Sequence, residues 1–183
     1  MNLLLAFAPF IVFVVAERLF GIPAGLGAGA VTAAVLLARD VIAPDRRPKL
    51  LEIGTFLLFG LLCLYAMFID PSWSIAAVRL RVDAGLLLIV LVSMALRQPF
   101  SLQYARDRVE RSHWDDPAFL RVNYVISGAW ALAFGVLVLA DVVMVGMPGL
   151  AHMGAVLATI AALAAAAWFT DWYPQHHRLA ERT

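Results

Sequence analysis

Six ionisable residues stand inside or at the ends of long apolar runs: Glu17, Arg18, Arg79, Arg81, Asp83 and Asp141. At membrane depth each such group costs ~2.5–3.5 kcal/mol on insertion scales, so it pairs or lines a wet cavity. Glu17 and Arg18 end one run, and Arg79, Arg81 and Asp83 occupy the first turns of another. Asp141 lies about six residues, ~9 Å, inside the end of a third. These depths let Asp141 meet Arg79 or Arg81, and Asp83 meet Arg18. Such a cluster has two uses. It is a structural ion-pair network that fixes helix register, or it is a polar pocket open to the outside, as a small transporter, channel or lipid-handling protein requires. Both need the three runs to be neighbours.

The other reactive residue types offer less. Cys63 is the only cysteine and sits within an apolar run, as a small buried side chain would. Histidines 113, 152, 176 and 177 form no metal motif, and adjacent positions such as 176 and 177 point about 100° apart on a helix. No Ser–His–Asp, paired-carboxylate or H-E-x-x-H constellation stands out. The expectation is a protein with no catalytic residues, no metal and no cofactor; a membrane-embedded enzyme has no positive support. The run "GLGAGA" fits a G-x-G-x-x-A dinucleotide pattern on paper, but that motif needs a preceding strand and a βαβ unit. Gly25 and Gly29 instead share one helical face, where small residues let backbones approach closely. Trp130 reads as a packing residue in mid-membrane. Ala151, Ala155, Ala158, Ala162, Ala165 and Ala166 form a second small-residue surface. These surfaces pack internally or against a second copy, which leaves a homo-oligomer open.

The elements that position these residues follow from composition. Hydrophobic residues make up 63% of the 183 residues and charged residues 15%, against roughly 45–50% and 25% in soluble domains. The chain therefore folds in a bilayer, as one integral-membrane domain over residues 1–183. Runs such as Phe56–Phe68 are apolar on all sides, which rules out the alternation of a barrel strand. The fold class is all-α, a polytopic membrane helix bundle of six transmembrane helices, with five as the alternative. The spans fall at about 2–20, 23–42, 52–69, 74–96, 122–147 and 150–172, each near the ~20 residues a crossing needs. Gly21 and Pro23 make a tight turn between the first two. Pro71, Pro148 and Pro174 punctuate other helix ends, and a short tail follows over 173–183. Glu17 interrupts the first run, which together with the missing basic n-region argues against a signal peptide.

Of the 14 Lys and Arg, all but Arg18, Arg79 and Arg81 fall on one side of a six-span arrangement. By the positive-inside rule that side is cytoplasmic, with the C-terminus and, less firmly supported because of Arg18, the N-terminus. Tyr65 and Trp73 mark the outer boundary. Tyr104, Trp114, Trp168, Trp172 and Tyr173 mark the inner one. A net charge of +1 gives no field to attract nucleic acid.

Between spans four and five, "SLQYARDRVERSH" reads as a short interfacial helix capped by Ser101, within a cytoplasmic amphipathic segment over 98–121. Asp107 and Arg111, and Arg106 and Glu110, stand four apart as ion pairs. Leu102, Ala105 and Val109 form a narrow apolar stripe. Tyr104, Arg106, Arg108, Arg111 and Trp114 would contact the inner leaflet and its anionic headgroups. The alternatives are a solvated loop whose arginines only set topology, and a partner-docking segment.

Pro9 in "LAFAPFIVFVV", the tight turn, the basic loop after span two, Pro99 in "RQPF", and Trp130 and Phe134 in "AWALAF" together resemble the bacterial intracellular septation protein A family, also called YciB or IspZ. That family has an asparagine about one turn before the tryptophan; here Asn123 is further away and Ser127 holds the nearer place. The resemblance implies a bacterial inner-membrane protein that supports envelope integrity and cell division through other membrane proteins of the elongation and division machinery. It implies no catalytic residue and no cofactor. Membrane lipids are the other expected partners.

Overall fold

In the computed structural model, residues 3–43, 47–69, 72–147 and 152–180 are described. Expectations for Asn2, Arg46, Pro71, Pro148, Leu150, Ala151 and Arg182 lie outside them, as do those for the side chains of His152, His177 and Arg178. All regular structure among the described residues is helical. The helices are α1 (Ala8–Phe20), α2 (Ile22–Ile42), α3 (Leu50–Ile69), α4 (Ile75–Ala95), α5 (Phe100–Arg106), α6 (Pro117–Gly146) and α7 (His152–Ala180). They form two compact units, Met1–Ile89 and Val90–Thr183, and the division falls within α4.

In the first unit, a 3₁₀ turn over Leu3–Phe7 leads into α1, with Pro9 in its first turn. Gly21 separates α1 from α2 with φ 92° and ψ 174°, a region essentially reserved for glycine. Pro23 opens α2, where its missing N–H costs nothing. The result is a tight helical hairpin. The core gathers Phe13, Leu26, Phe59, Val78 and Val82, one or two from each helix. The Phe59 ring lies 5.1 Å from Phe10 and 5.5 Å from Phe13.

In the second unit, α6 and α7 pack antiparallel. Trp130 is 3% exposed and its indole N–H donates to Thr170 Oγ1 at 2.9 Å. Ala155 and Ala166 are buried, whereas Ala165 is exposed. α4 ends in a turn where Gln98 N–H donates to Ser93 O and Arg97 N–H to Met94 O. That is a Schellman motif, with Arg97 in the left-handed region at φ 57°.

Three expectations change. Six spans are not supported, nor are five: four helices among the described residues are long and apolar enough to cross a membrane, Ile22–Ile42, Leu50–Ile69, Pro117–Gly146 and Met153–His176. α1 has only 13 residues, because Pro9 cannot sit deeper in an α-helix and the preceding residues wind as 3₁₀. α4 is long enough but carries Arg79, Arg81 and Asp83. Secondly, Pro174 does not end a helix; it lies inside α7, which runs through most of the expected tail. Stacking of Phe169 on Tyr173 at 5.0 Å and of Trp172 against His176 at 4.3 Å bridges the turn that the proline weakens. Thirdly, the short helix expected over 101–113 ends at Arg106 and Ser101 does not cap it. α5 has seven residues, follows Pro99 and has no side-chain cap.

Candidate functional site

The buried charges are the candidate site, and in the first unit they fall into two clusters. Along α1 the inward positions are Pro9, Phe13 and Glu17, each one turn after the last. Glu17 therefore continues the core stripe and is 3% exposed. Across from it lies Gly25 of α2. A Cβ there would come within 2.7 Å of Glu17 Cβ, so only glycine lets the helices meet so closely. Arg79 Nη2 of α4 approaches Glu17 Oε2 at 3.5 Å. Neither carboxylate oxygen of Glu17 has a hydrogen bond among the described residues, and neither has Arg79 Nε. A charge-assisted N–H···O contact closes to about 2.7–2.9 Å, so this pair stands slightly open.

Arg18, one residue on from Glu17, is rotated outward and exposed. Arg81 lies 4.4 Å over the Trp73 ring and donates to Ala77 O at 2.6 Å. Trp73 in turn stacks on Tyr65 at 5.0 Å. Asp83 is half-buried. Within the first unit Arg79 thus faces Glu17 and Arg81 lies on Trp73. Asp141 is 3% exposed on α6 and belongs to the second unit.

The second cluster was not expected. The buried stripe of α2 runs Gly25, Leu26, Gly29, Ala33, Leu36 and Asp40. Asp40 is fully buried. Lys49 Nζ, just before α3, reaches its Oδ2 at 2.6 Å, and Arg39 Nη2 reaches Oδ1 at 3.0 Å. Glu52 and Thr55 are buried on the same face of α3, and Thr55 Oγ1 has no hydrogen bond among the described residues. Gly29 sits between the clusters, where a Cβ would fall 2.8 Å from the Phe59 ring. The polar groups therefore occupy the two ends of one helical core.

No known protein family, curated protein or solved structure matches this chain. What the arrangement can do follows from its own chemistry. The Asp40 carboxylate is closed by two cations and serves to clamp α2 to the start of α3. Glu17 keeps acceptor capacity and faces a single arginine. Among the described residues, no group of three or more His, Cys, Asp or Glu is placed to hold a metal ion.

In the second unit, the residues expected on the inner leaflet divide. Tyr104 is 3% and Leu102 1% exposed, so the apolar stripe of α5 turns into the protein. The reason lies on α6. Ser101 Oγ donates to Asn123 O at 2.8 Å and lies 2.9 Å from Ser127 Oγ. Ser93 Oγ accepts the Phe100 N–H at 3.1 Å. These bonds dock α5 on α6, and Ser101 serves there rather than as a cap. Arg106 and Trp114 remain half-buried, while Arg108 and Arg111 are exposed.

Proposed function

We propose that this chain is a multi-pass protein of the bacterial inner membrane that acts without catalysis, supporting envelope integrity and septation by docking other membrane proteins on its helices. The observation that carries this reading is how the buried charges are used. Asp40 with Lys49 and Glu17 with Arg79 tie helix to helix. Large apolar side chains such as Phe20, Leu61, Phe68, Leu132 and Ile160 point outward. A bundle held in register by internal ions and apolar outside suits lateral association with other helices. The process and the class of partner come from the resemblance to the septation protein family. The test is a photo-crosslinking residue at Leu61 or Leu132 in living cells. Discrete adducts with division or elongation membrane proteins are expected. Adducts with lipid alone, together with normal septation in a deletion strain, would refute the reading.

The arrangement in the membrane is part of the proposal. α4 crosses as well, its charges offset by Glu17 beside Arg79 and Trp73 beneath Arg81. α1 with its 3₁₀ turn crosses too. Five residues at ~2.0 Å and 13 at ~1.5 Å give roughly 30 Å, the thickness of the hydrocarbon core. Both termini are then cytoplasmic.

The open geometry of Glu17 favours a second reading, in which Glu17 and Arg79 form the polar step of a small transporter or channel. Proteoliposome flux lost in Glu17→Gln at unchanged thermal stability would favour it. Equal flux in both proteins would exclude Glu17 from such a path.

A further inference from the structure

The arginines between α5 and α6 are not spread evenly. α5 stops at Arg106, so Asp107 and Arg111 no longer share a helical face, and neither do Arg106 and Glu110. A 3₁₀ turn over Arg111–His113 follows, then Trp114. The Trp114 indole N–H donates to Val109 O at 3.1 Å, which fixes the ring. The guanidinium carbon of Arg106 lies 5.3 Å from the centre of that ring, and that of Arg111 lies 5.7 Å from it. Arg106 Nε is buried and has no hydrogen bond among the described residues. No carboxylate lies within ion-pair distance of Arg106 or Arg111 among the described residues. Two guanidinium groups thus lie within 6 Å of one indole ring, and each is built to grip phosphate through a planar fork of donors.

The position of this cluster narrows what the anion is. Tyr124 OH donates to Met94 O at 3.4 Å, so the end of α4 is level with the second turn of α6. Arg97 follows α4 immediately, and Arg121 lies just below Tyr124. The apolar lengths of both helices therefore end at about this level, and Arg106, Arg111 and Trp114 belong to the segment that connects them. That level is headgroup depth, where tryptophan is enriched. Arg108, by contrast, is exposed.

We propose that Arg106, Arg111 and Trp114 form a discrete binding site for the phosphate of an anionic phospholipid headgroup. The inference rests on the reading of this chain as membrane-embedded with this end at the inner leaflet. It differs from a general attraction of basic residues to the membrane, because it assigns binding to two arginines and excludes the third.

Native mass spectrometry of the full-length protein in detergent, titrated with short-chain phosphatidylglycerol or phosphatidylcholine, tests it. The wild type should retain phosphatidylglycerol in preference. Arg106→Gln and Arg111→Gln should each weaken that binding several-fold, and together by roughly tenfold or more. Arg108→Gln should leave it unchanged. Arg106→Lys keeps the charge but not the fork, and serves if the Gln variant does not fold; it should also bind more weakly. Equal loss in Arg108→Gln, or no preference between the lipids, would overturn the site. Displacement of the lipid by millimolar inorganic phosphate would overturn the assignment to a lipid and point to a free anion. The membrane reading is checked separately: extraction of the protein from membranes by alkaline carbonate would sink that reading itself. A protein that resists extraction but ignores headgroup charge sinks only the site.

Discussion

Two residues carry backbone conformations that decide local stability, and they call for opposite substitutions. Arg97 occupies the left-handed position of the Schellman turn that ends α4, at φ 57°. An L-residue with a Cβ loses roughly 1–2 kcal/mol there. Arg97→Gly should therefore raise stability by about 1 kcal/mol, seen as a higher unfolding temperature in detergent. A lower temperature would mean that the arginine side chain contributes more than its backbone costs. Gly21 is the converse. No atom lies within 4 Å of the place where its Cβ would be, so the penalty of Gly21→Ala is conformational alone. The loss expected is ~1–3 kcal/mol. An unchanged unfolding temperature would show that the α1–α2 turn relaxes to another geometry. The Gly21–Pro23 turn was legible in the sequence because both residue types announce it. Arg97 was not, since arginine is an ordinary residue near a helix C-terminus and only the dihedral angles reveal the strain.

Pairs of helices are held together by groups whose removal leaves a partner stranded. Between α2 and α3 that group is Asp40, with Lys49 at 2.6 Å and both side chains no more than 3% exposed. Breaking such a pair from one side costs ~3–5 kcal/mol, while removing both charges costs far less. Asp40→Asn and Lys49→Met should each destabilise the first unit strongly, and the double variant should recover part of the loss. Strict additivity in that cycle would show that the two groups do not interact. The α2 stripe from Leu26 to Asp40 was readable as periodicity, and its last member is the acid. The cluster is not legible because Arg39 and Lys49 read as ordinary basic residues beside a loop, and no spacing rule says that a loop returns a lysine to a carboxylate nine residues earlier. The docking of α5 on α6 was not legible for a related reason. Its stripe of Leu102, Ala105 and Val109 is too short to choose between lipid and protein, and Ser101 finds Asn123 and Ser127 across a gap of more than 20 residues.

At the scale of the molecule, the proposed orientation is consistent with the four clearly apolar helices only if α4 also crosses, as proposed above. In the proposed orientation, Arg39, Arg47 and Lys49 put the α2–α3 connection inside and the end of α3 outside. Arg97, Arg106, Arg108, Arg111 and Arg121 put the start of α6 inside as well. On that proposal an odd number of crossings lies between Ile69 and Pro117, and α4, with 21 residues, is the helix long enough to supply it. Its three charges exclude it on composition, but composition does not see that Arg79 faces Glu17 or that Arg81 lies on Trp73. An alkaline phosphatase reporter, active only in the periplasm, should therefore be active when fused after Trp73 and silent when fused after Arg108 or after Thr183. Activity at Arg108 would mean that α4 stays on one side, with its arginines in the outer interface and the second unit inverted. Fusing the reporter after Arg108 in an Arg79→Leu, Arg81→Leu background separates the two cases. If α4 already crosses, the signal stays silent; if its charges had held it out, the signal falls from high to low.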